Sequence, residues 1–496
     1  MSVLTLLPIA VPLVAAGISM VLLERLALQR LVAVAASSGT LIVAVLLLVG
    51  VHDNGSTIVV VGDWEAPIGI SLVADRLSVI LLFIAEVMLL GVLVFAIGRK
   101  GDERSMRFFH PVYHVLAAGV AISFLTGDLF TLFVGFEVML MASYVLLTHR
   151  ADAQRVRAAT TYVVVGLVAS ALFLVAIAFT YAATGTVNLA ELAERVDTLP
   201  GHIRTMLALT TLVVFGIKAA VFPLFFWLPD SYPTAPAPVT AIFAGLLTKV
   251  GVYAILRTQT LLFADDGLST LLLFVAGATM LVGVLGAIAQ DDIKRILSFH
   301  IVSQIGYMIM GIALFTPAGI AATVLYLVHH IAVKTTLFLI GGIIEDTEGT
   351  GSLRRIGGLA RTRPFLAVLF IPVALSLAGL PPFSGFVAKL GLVEAGIAVG
   401  SWWIVAVSLL VSLLTLVSMA KIWTGAFWGD PEGDPVFAEP PPTPRLATAA
   451  AAALAAVSIA IAAAAGPLHE YATETSADLL GPGATPAAVV DVEGGR

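Results

Sequence analysis

The chain consists mostly of long apolar runs separated by short polar segments. A helix needs roughly 20 apolar residues to cross the hydrocarbon core of a bilayer, which is about 30 Å thick. Residues 57–72 show short alternation of polar and apolar side chains together with turn residues, which is typical of a β-hairpin. We therefore expect an all-α polytopic membrane protein with one small hairpin. The runs predict about fourteen transmembrane helices, near residues 2–23, 31–51, 73–98, 109–126, 128–148, 157–183, 205–228, 239–258, 268–289, 294–316, 318–342, 364–390, 401–427 and 446–465.

Prolines interrupt two of these runs. Pro223 lies in the seventh run, and Pro381 and Pro382 lie in the twelfth. Proline removes a backbone donor and clashes with the preceding turn, so both helices are predicted to be broken. Broken helices at matching places in two halves of a chain indicate a transporter's central site.

The breaks suggest a division of the chain into four regions. Residues 1–108 form a three-helix scaffold with an external hairpin. Residues 109–258 and 259–428 form two five-helix repeats, each broken in its fourth helix. Five is an odd number, so the second repeat would be inverted relative to the first. Residues 429–496 hold an inner Pro-rich loop, the last helix and an external tail that we expect to be disordered from Gly466 onward.

The distribution of basic residues predicts the orientation. Of the 26 lysines and arginines, 17 lie in loops on one side of the predicted bundle and 5 on the other, while 4 lie inside apolar runs. Basic residues concentrate on the inner side of a membrane. We therefore expect a multi-pass protein of the cell membrane with both termini outside.

Composition narrows the possible functions. Charged residues make up 12% of the chain, against about 25% in soluble domains. The absence of cysteine excludes disulfides, thiol catalysis and Fe–S ligands. Nucleotide-binding and hydrolase motifs are absent too, so we expect neither an enzyme nor a cofactor or metal site. The net charge of −6 indicates no nucleic-acid partner.

Of the charged residues within apolar runs, the strongest candidates are Glu137, Lys218, Lys249, Lys334 and Lys389. A charge at the bilayer centre costs about 2.5–3.5 kcal/mol on insertion scales, so such residues mark ion or proton pathways. They are the candidate functional residues of this chain.

Glu137 and Lys218 are natural partners for a buried ion pair. Breaking such a pair leaves a bare buried charge and costs about 3–5 kcal/mol. Protonation of one member would therefore change the proton affinity of the next group. The alternative is a static buried ion pair that takes no part in proton transfer. Lys249 is central in its run, where burial lets a lysine exchange protons near neutrality. The alternative is that the Lys249 side chain extends to the membrane interface, from a position about ten residues from either end of its run.

The eleventh run carries a histidine and a lysine on one face. His330 and Lys334 are four residues apart, and His330 is a candidate relay between the Lys249 region and Lys389. His329 points about 100° away, which indicates a structural core residue. The alternative is that the pair only forms hydrogen bonds to neighbouring helices.

Weaker candidates complete the set. Ser303 and Gln304 are either further relay groups or contacts between helices. Asp75 is expected to be a solvated helix cap, and Glu86 to face a partner subunit.

Three stretches resemble a known family. They are FGIKAAVFPLFFWLPDSYPTAPAPVTAIFAGLLTKVGVYAILR, QDDIKRILSFHIVSQIGYMIMG and LAGLPPFSGFVAKLGL. They are similar to the antiporter-like proton-conducting membrane proteins, which include large membrane subunits of respiratory complex I and of Mrp-type cation/proton antiporters. The likeness is strongest between residues 128 and 389. Within the family it is greatest to the D-type Mrp subunit.

The resemblance implies a function and a set of roles. It implies a proton-translocating subunit of a multi-subunit Na⁺/H⁺ antiporter, driven by the proton-motive force, with the A, B, C, E, F and G types of Mrp subunit as partners. The alternatives are a proton-pumping subunit of complex I or of a membrane hydrogenase, and a scaffold subunit. Tyr326 stands where some relatives have a second histidine. The implied roles are an ion pair for Glu137 and Lys218, a central relay for Lys249, a connection through His330 and Lys334, and a terminal lysine for Lys389.

Overall fold

The computed structural model describes residues 2–481 except 63, 65, 68, 100–106, 149–152, 265–266, 433–435 and 438–440, with the backbone alone at 153–155. Part of the predicted tail, residues 482–496, lies outside the described residues. So do Lys100, Arg104 and Arg150 and the side chain of Arg155, which contributed to the predicted orientation.

Helices account for most of the described chain. Twelve of those described are long and apolar enough to cross a membrane, and two more, Phe109–Leu125 and Pro364–Ala378, are shorter apolar helices. The chain is a multi-pass membrane protein; the count of fourteen spans and the inverted repeats remain predictions. The helices are α1 Ser2–Val21, α2 Leu26–Asn54, α3 Arg76–Gly98, α4 Phe109–Leu125, α5 Leu129–Thr148, α6 Ala153–Thr184, α7 Leu189–Val196, α8 Gly201–Ala219, α9 Trp227–Ser231, α10 Ala237–Leu261, α11 Ser269–Ile288, α12 Ile293–Leu314, α13 Pro317–Glu348, α14 Leu359–Thr362, α15 Pro364–Ala378, α16 Ser384–Ala398, α17 Trp402–Trp428, α18 Arg445–Ala463 and α19 Ala465–Leu480.

The predicted hairpin is present between α2 and α3. Strand β1 (Thr57–Val61) pairs antiparallel with β2 (Ile70–Ala74). Asp75 follows β2 and caps α3 by accepting a hydrogen bond from the Ser78 backbone N–H at 2.8 Å. Burial by itself would raise the pKa of the Asp75 carboxyl. The Arg257 guanidinium, 2.6 Å from this carboxylate, opposes the effect of burial, and the net pKa lies below the usual range. The expected cap is confirmed, but it is paired and mostly buried, not solvated.

Both predicted breaks are confirmed. Helix α8 ends at Ala219, and the chain passes through a cis Phe222–Pro223 bond before α9 begins. Helix α15 ends at Ala378, and a cis Pro381–Pro382 bond precedes α16. Side chains satisfy the freed backbone at the first break, because Thr279 Oγ1 accepts from Phe222 N at 3.0 Å. Broken helices at membrane depth require such internal partners.

Two features were not predicted. Helix α10 contains a π-helical turn at Phe243–Leu247, and the residues of the turn are all apolar or glycine, so no pattern indicated it. The segment after Gly466 was expected to be disordered, which is wrong for α19. Its Tyr471 hydroxyl donates to Arg76 O at 3.1 Å, and Arg76 pairs with Asp478 at 2.6 Å. Contacts with the start of α3 therefore order this segment.

The charged helices occupy the centre of the bundle. In the most apolar 18-residue stretch of each helix, the share of residues that are buried is 100% for α10 and α13 and 94% for α12. The same share is 33% for α1 and α2. A helix that is apolar all round is typical of a protein interior. Lys249, His330 and Lys334 therefore lie in the central helices, and α1 and α2 lie at the periphery.

Replacing Gly251 by alanine tests the contact between α8 and α10. A Cβ at this position would lie 2.6 Å from Ala219 N, a backbone atom that cannot move alone. Overpacking of this kind costs about 1–3 kcal/mol. We expect Gly251→Ala to lower the thermal unfolding midpoint of the purified protein in detergent. Gly39→Ala is the matched control, because a Cβ there meets nothing within 4 Å; equal midpoints for both variants would contradict the prediction.

Candidate functional site

The structure buries all four lysines that the sequence singled out. Lys249 is 0% exposed and Lys334 is 0% exposed, while Lys218 and Lys389 are 7% and 6% exposed. Together with Glu137 and His330 they make up the set of groups that we call the polar axis. Each group has its own immediate environment, and these environments differ.

Glu137 and Lys218 meet through a serine. Lys218 Nζ lies 3.9 Å from Glu137 Oε1. Ser170 Oγ accepts a hydrogen bond from Lys218 Nζ at 3.1 Å and donates one to Glu137 Oε1. The ammonium also lies 5.5 Å from the centroid of the Phe136 ring. The predicted ion pair is therefore a bridged pair. The sequence carried no signal for Ser170, which is one of several serines in apolar helices.

A cavity of about 20 Å³ lies beside Lys218. It is lined in part by Tyr162 and Tyr232, and this volume holds one water molecule. Among the described residues, no group forms a hydrogen bond with the buried Tyr232 hydroxyl. Buried hydroxyls are usually hydrogen-bonded, so a water between Lys218 and Tyr232 would satisfy both groups.

Lys249 interacts with the π-helical turn of its own helix. Its Nζ donates to Ala244 O and, at 3.2 Å, to Thr248 Oγ1. Ala244 lies within the turn, whose wider spacing alters the backbone hydrogen-bond pattern. Within the described chain, no carboxylate lies within 4.0 Å of Lys249, so neutral acceptors alone hold this amine.

His330 lies among basic groups. Lys249, Lys334 and His300 are close enough to act on it electrostatically. Neither ring nitrogen has a hydrogen-bond partner in the part of the chain that the structure describes, so both require water. Lys334 Nζ donates to Leu297 O on α12 at 2.9 Å. The predicted relay position of His330 is therefore compatible with the geometry.

An aromatic stack leads from His330 toward Lys389. The Tyr326 ring lies 6.3 Å from His330 and 5.4 Å from Tyr307, and Lys389 Nζ lies 4.8 Å from the Tyr307 ring centroid. The Tyr326 hydroxyl donates to Gln304 Oε1 at 2.5 Å. Gln304 thus adjoins the polar axis.

Ser303 contacts a neighbouring helix. Its hydroxyl donates to Met280 O on α11 at 3.0 Å. Of the two roles expected for Ser303, the structure matches the contact between helices.

Lys389 binds the carbonyl end of the second broken helix. Its Nζ donates to Leu377 O at 3.1 Å, to Ala378 O at 3.0 Å and to Ser412 Oγ at 2.8 Å. The last carbonyls of a helix lack partners within it and attract cations. The break in the twelfth run and the lysine after it are therefore parts of one site.

Two further histidines adjoin this region. His300 Nε2 is hydrogen-bonded to Ser418 Oγ at 2.9 Å. The sequence did not indicate this histidine because no charged residue lies within four positions of it, one helical turn. His329 Nδ1 is hydrogen-bonded to Ser384 Oγ, at the start of α16, at 2.8 Å. This contact agrees with the structural role expected for His329.

Glu86 lies away from the polar axis. It is 2% exposed and accepts a hydrogen bond from Thr40 on α2 at 2.7 Å. The expectation that Glu86 faces a partner subunit is wrong, because α2 covers it within the chain.

The comparisons with known proteins show the family to which this chain belongs. The family model described as NADH:quinone oxidoreductase/Mrp antiporter, TM, matches residues 126–415. The D subunit of a Na(+)/H(+) antiporter from Alkalihalophilus pseudofirmus is 46% identical over 87% of this chain and 88% of its own. The chain belongs to the NADH:quinone oxidoreductase/Mrp antiporter transmembrane family. The family resemblance in the sequence is thus confirmed.

Solved structures extend the likeness to nearly the whole chain. A chain in the structure of the Mrp complex from Dietzia sp. aligns with a TM-score of 0.92 and 36% identity, covering 99% of this chain and 100% of that one. A chain of respiratory complex I from Thermus thermophilus aligns with a TM-score of 0.81 and 24% identity, covering 96% and 100%. The second likeness shows the fold alone.

Replacing Ser170 by alanine tests the bridge within the polar axis. A hydrogen bond to a charged group contributes about 1.5–3 kcal/mol, so we expect Ser170→Ala to slow proton movement through the protein about tenfold or more. Cation-dependent proton flux in inverted membrane vesicles measures this. Ser19→Ala is the control, since Ser19 is also buried but lies on the peripheral helix α1. Equal rates in the two variants would show that the bridge has no role.

Proposed function

We propose that this chain is the D-type subunit of a multi-subunit Na⁺/H⁺ antiporter and that it carries protons along the polar axis. The observation that supports this most directly is the buried row from the Glu137–Lys218 pair through Lys249 and His330 to Lys389. The 46% identity to the D subunit of a Na(+)/H(+) antiporter gives the proposal its antiporter class.

The polar axis moves protons by repulsion between like charges. Lys249 and Lys334 interact electrostatically and have no paired carboxylate within 4.0 Å in the described chain. Two neighbouring buried ammonium groups disfavour each other, so a proton that reaches one amine promotes release from the next. Protonation of Glu137 starts the series of proton transfers, because a neutral carboxyl group no longer attracts the Lys218 ammonium as a carboxylate does.

The second half of the polar axis passes the proton from His330 to Lys389. The water that His330 requires connects it with the neighbouring amines. Gln304 and Tyr326 supply polar groups between this histidine and the Lys389 region. The carbonyls of Leu377 and Ala378 stabilise the ammonium form of Lys389, which makes it a suitable final acceptor.

Na⁺ passes through a partner subunit, not through this axis. Hard cations bind oxygen ligands, whereas the polar axis consists mainly of amines and imidazole. The partners are the other Mrp subunits, of types A, B, C, E, F and G. The protein lies in the cell membrane with both termini outside, as the distribution of basic residues indicates. The two five-helix repeats carry the two halves of the axis, and proton-motive force drives the exchange.

A redox-driven pump is less well supported. Complex I shares the fold at 24% identity, and a shared fold does not establish a shared function.

Replacing Lys218 by alanine tests the proposed function. Respiration would establish a pH gradient across inverted vesicles that contain the intact complex, and Na⁺ would then be added. We expect Na⁺ to collapse the gradient with wild type but not with Lys218→Ala, because the variant lacks the amine that receives the proton. Lys421→Ala should retain the response, because Lys421 pairs with Asp291 in a loop, away from the polar axis.

Co-purification of the subunits separates the alternatives. A scaffold role predicts that Lys218→Ala fails to assemble, whereas proton transfer predicts an assembled and inactive complex. If wild-type vesicles respond to no cation, the antiporter proposal is wrong.

A further inference from the structure

The second break and the lysine that follows it fit closely around each other. Gly379 ends α15 with a φ of +87°, and a Cβ at this position would lie 2.6 Å from Lys389 Cδ and 3.3 Å from Lys389 Nζ. Carbon atoms that are not bonded to each other pack at about 3.5–4.0 Å, so the missing side chain of this glycine makes room for the lysine stem. The stem therefore crosses the end of α15 at contact distance, and its amine is fixed beside the last carbonyls of that helix.

The Lys389 ammonium has as many acceptors as it has N–H groups. An ammonium donates three hydrogen bonds and accepts none. In the described part of the chain its acceptors are Leu377 O at 3.1 Å, Ala378 O at 3.0 Å and Ser412 Oγ on α17 at 2.8 Å. The Tyr307 ring, with its centroid 4.8 Å from Nζ, further attracts the charged form. The site is therefore complementary to a protonated lysine.

One of the three acceptors differs from the other two in its chemistry. A carbonyl oxygen can only accept a hydrogen bond, whereas a serine hydroxyl both donates and accepts. Ser412 Oγ accepts from Lys389 Nζ and donates to Ala378 O at 3.2 Å. Because Ala378 O also accepts from Lys389 Nζ, the amine, the hydroxyl and this carbonyl form a closed ring of hydrogen bonds.

Loss of a proton from Lys389 would affect the three acceptors unequally. A neutral amine keeps two N–H groups and gains a lone pair. A lone pair that faced Leu377 O or Ala378 O would meet another lone pair, with no hydrogen atom between them. A lone pair that faces Ser412 can accept its O–H, which only has to rotate away from Ala378 O. Both carbonyls still receive an N–H from the amine, so every buried group keeps a partner.

We propose that Ser412 is a positioning residue that holds Lys389 in both of its protonation states. This inference rests on the proposed function, in which Lys389 is the final acceptor of the polar axis. When Lys389 releases its proton, the N–H bond that points to Ser412 breaks, its electron pair stays on Nζ, and the proton passes to water. The Ser412 hydroxyl then turns and donates to Nζ. Reprotonation reverses these changes, and neither direction requires a heavy atom to move.

The alternative is a static contact between α16 and α17, and the chain offers matched variants that test it. Ser412→Ala removes the hydroxyl, whereas Ser412→Thr keeps it. Thr415→Val is the control on the same helix, because it also removes a hydroxyl and keeps the shape of the side chain. Among the described residues, Thr415 Oγ1 donates only to Val411 O of its own helix, at 2.8 Å, so this variant leaves the partners of Lys389 unchanged.

The experiment measures Na⁺-dependent proton flux in inverted vesicles, normalised to the amount of assembled complex. We expect Ser412→Ala to lower the maximal flux at least about tenfold, the effect of losing one hydrogen bond to a charged group. The Na⁺ concentration for half-maximal flux should stay unchanged, because the hydroxyl acts on the proton step alone. Ser412→Thr should retain most of the flux, and Thr415→Val should stay within about twofold of wild type, since its hydroxyl bonds only to its own helix.

Three results would overturn the proposal. The first is an equal maximal flux for Ser412→Ala and Thr415→Val. The second is a loss of flux in Ser412→Ala that disappears after normalisation to assembled complex, because a static contact predicts exactly this loss of assembly. The third is a flux in Ser412→Thr no higher than in Ser412→Ala, because the hydroxyl would then have no role. Failure of the proposed function is distinguishable, since wild-type vesicles would then show no Na⁺-dependent flux.

Discussion

The hydrocarbon core of a membrane supplies no hydrogen-bond partners, and the structure of this protein depends on that constraint. Every buried amine and every interrupted backbone segment must find its partners within the protein or in water. The two requirements meet at the second break, where Lys389 binds the carbonyls of Leu377 and Ala378. The helix end provides acceptors that the lysine needs, and the lysine provides donors that the helix end needs.

The groups of the polar axis differ in how strongly their surroundings stabilise a charge. The pair of Glu137 and Lys218 is held by opposite charge and by the Ser170 bridge. Lys249 has only neutral acceptors, a backbone carbonyl of the π-helical turn and a threonine hydroxyl. A buried amine held by neutral groups is easier to deprotonate than one beside a carboxylate. In the proposed function, this difference favours the transfer of a proton between these groups.

The same fold occurs in different kinds of membrane complex. The chain aligns with a chain of an Mrp complex and, at lower identity, with a chain of respiratory complex I. Function must therefore be argued from the site and not from the architecture.

Hydropathy and proline alone determined the apolar spans, the two broken helices and the identity of the buried charges, because these are local properties of the chain. Only the tertiary structure decided the partners: Ser170 between Glu137 and Lys218, Thr40 over Glu86, and Glu345 beside Lys294. The physical reason is that helices surrounded by protein are apolar on every side, so their sequences do not indicate which face meets which neighbour. Contacts between segments distant in the chain likewise order α19, which composition alone suggested was disordered.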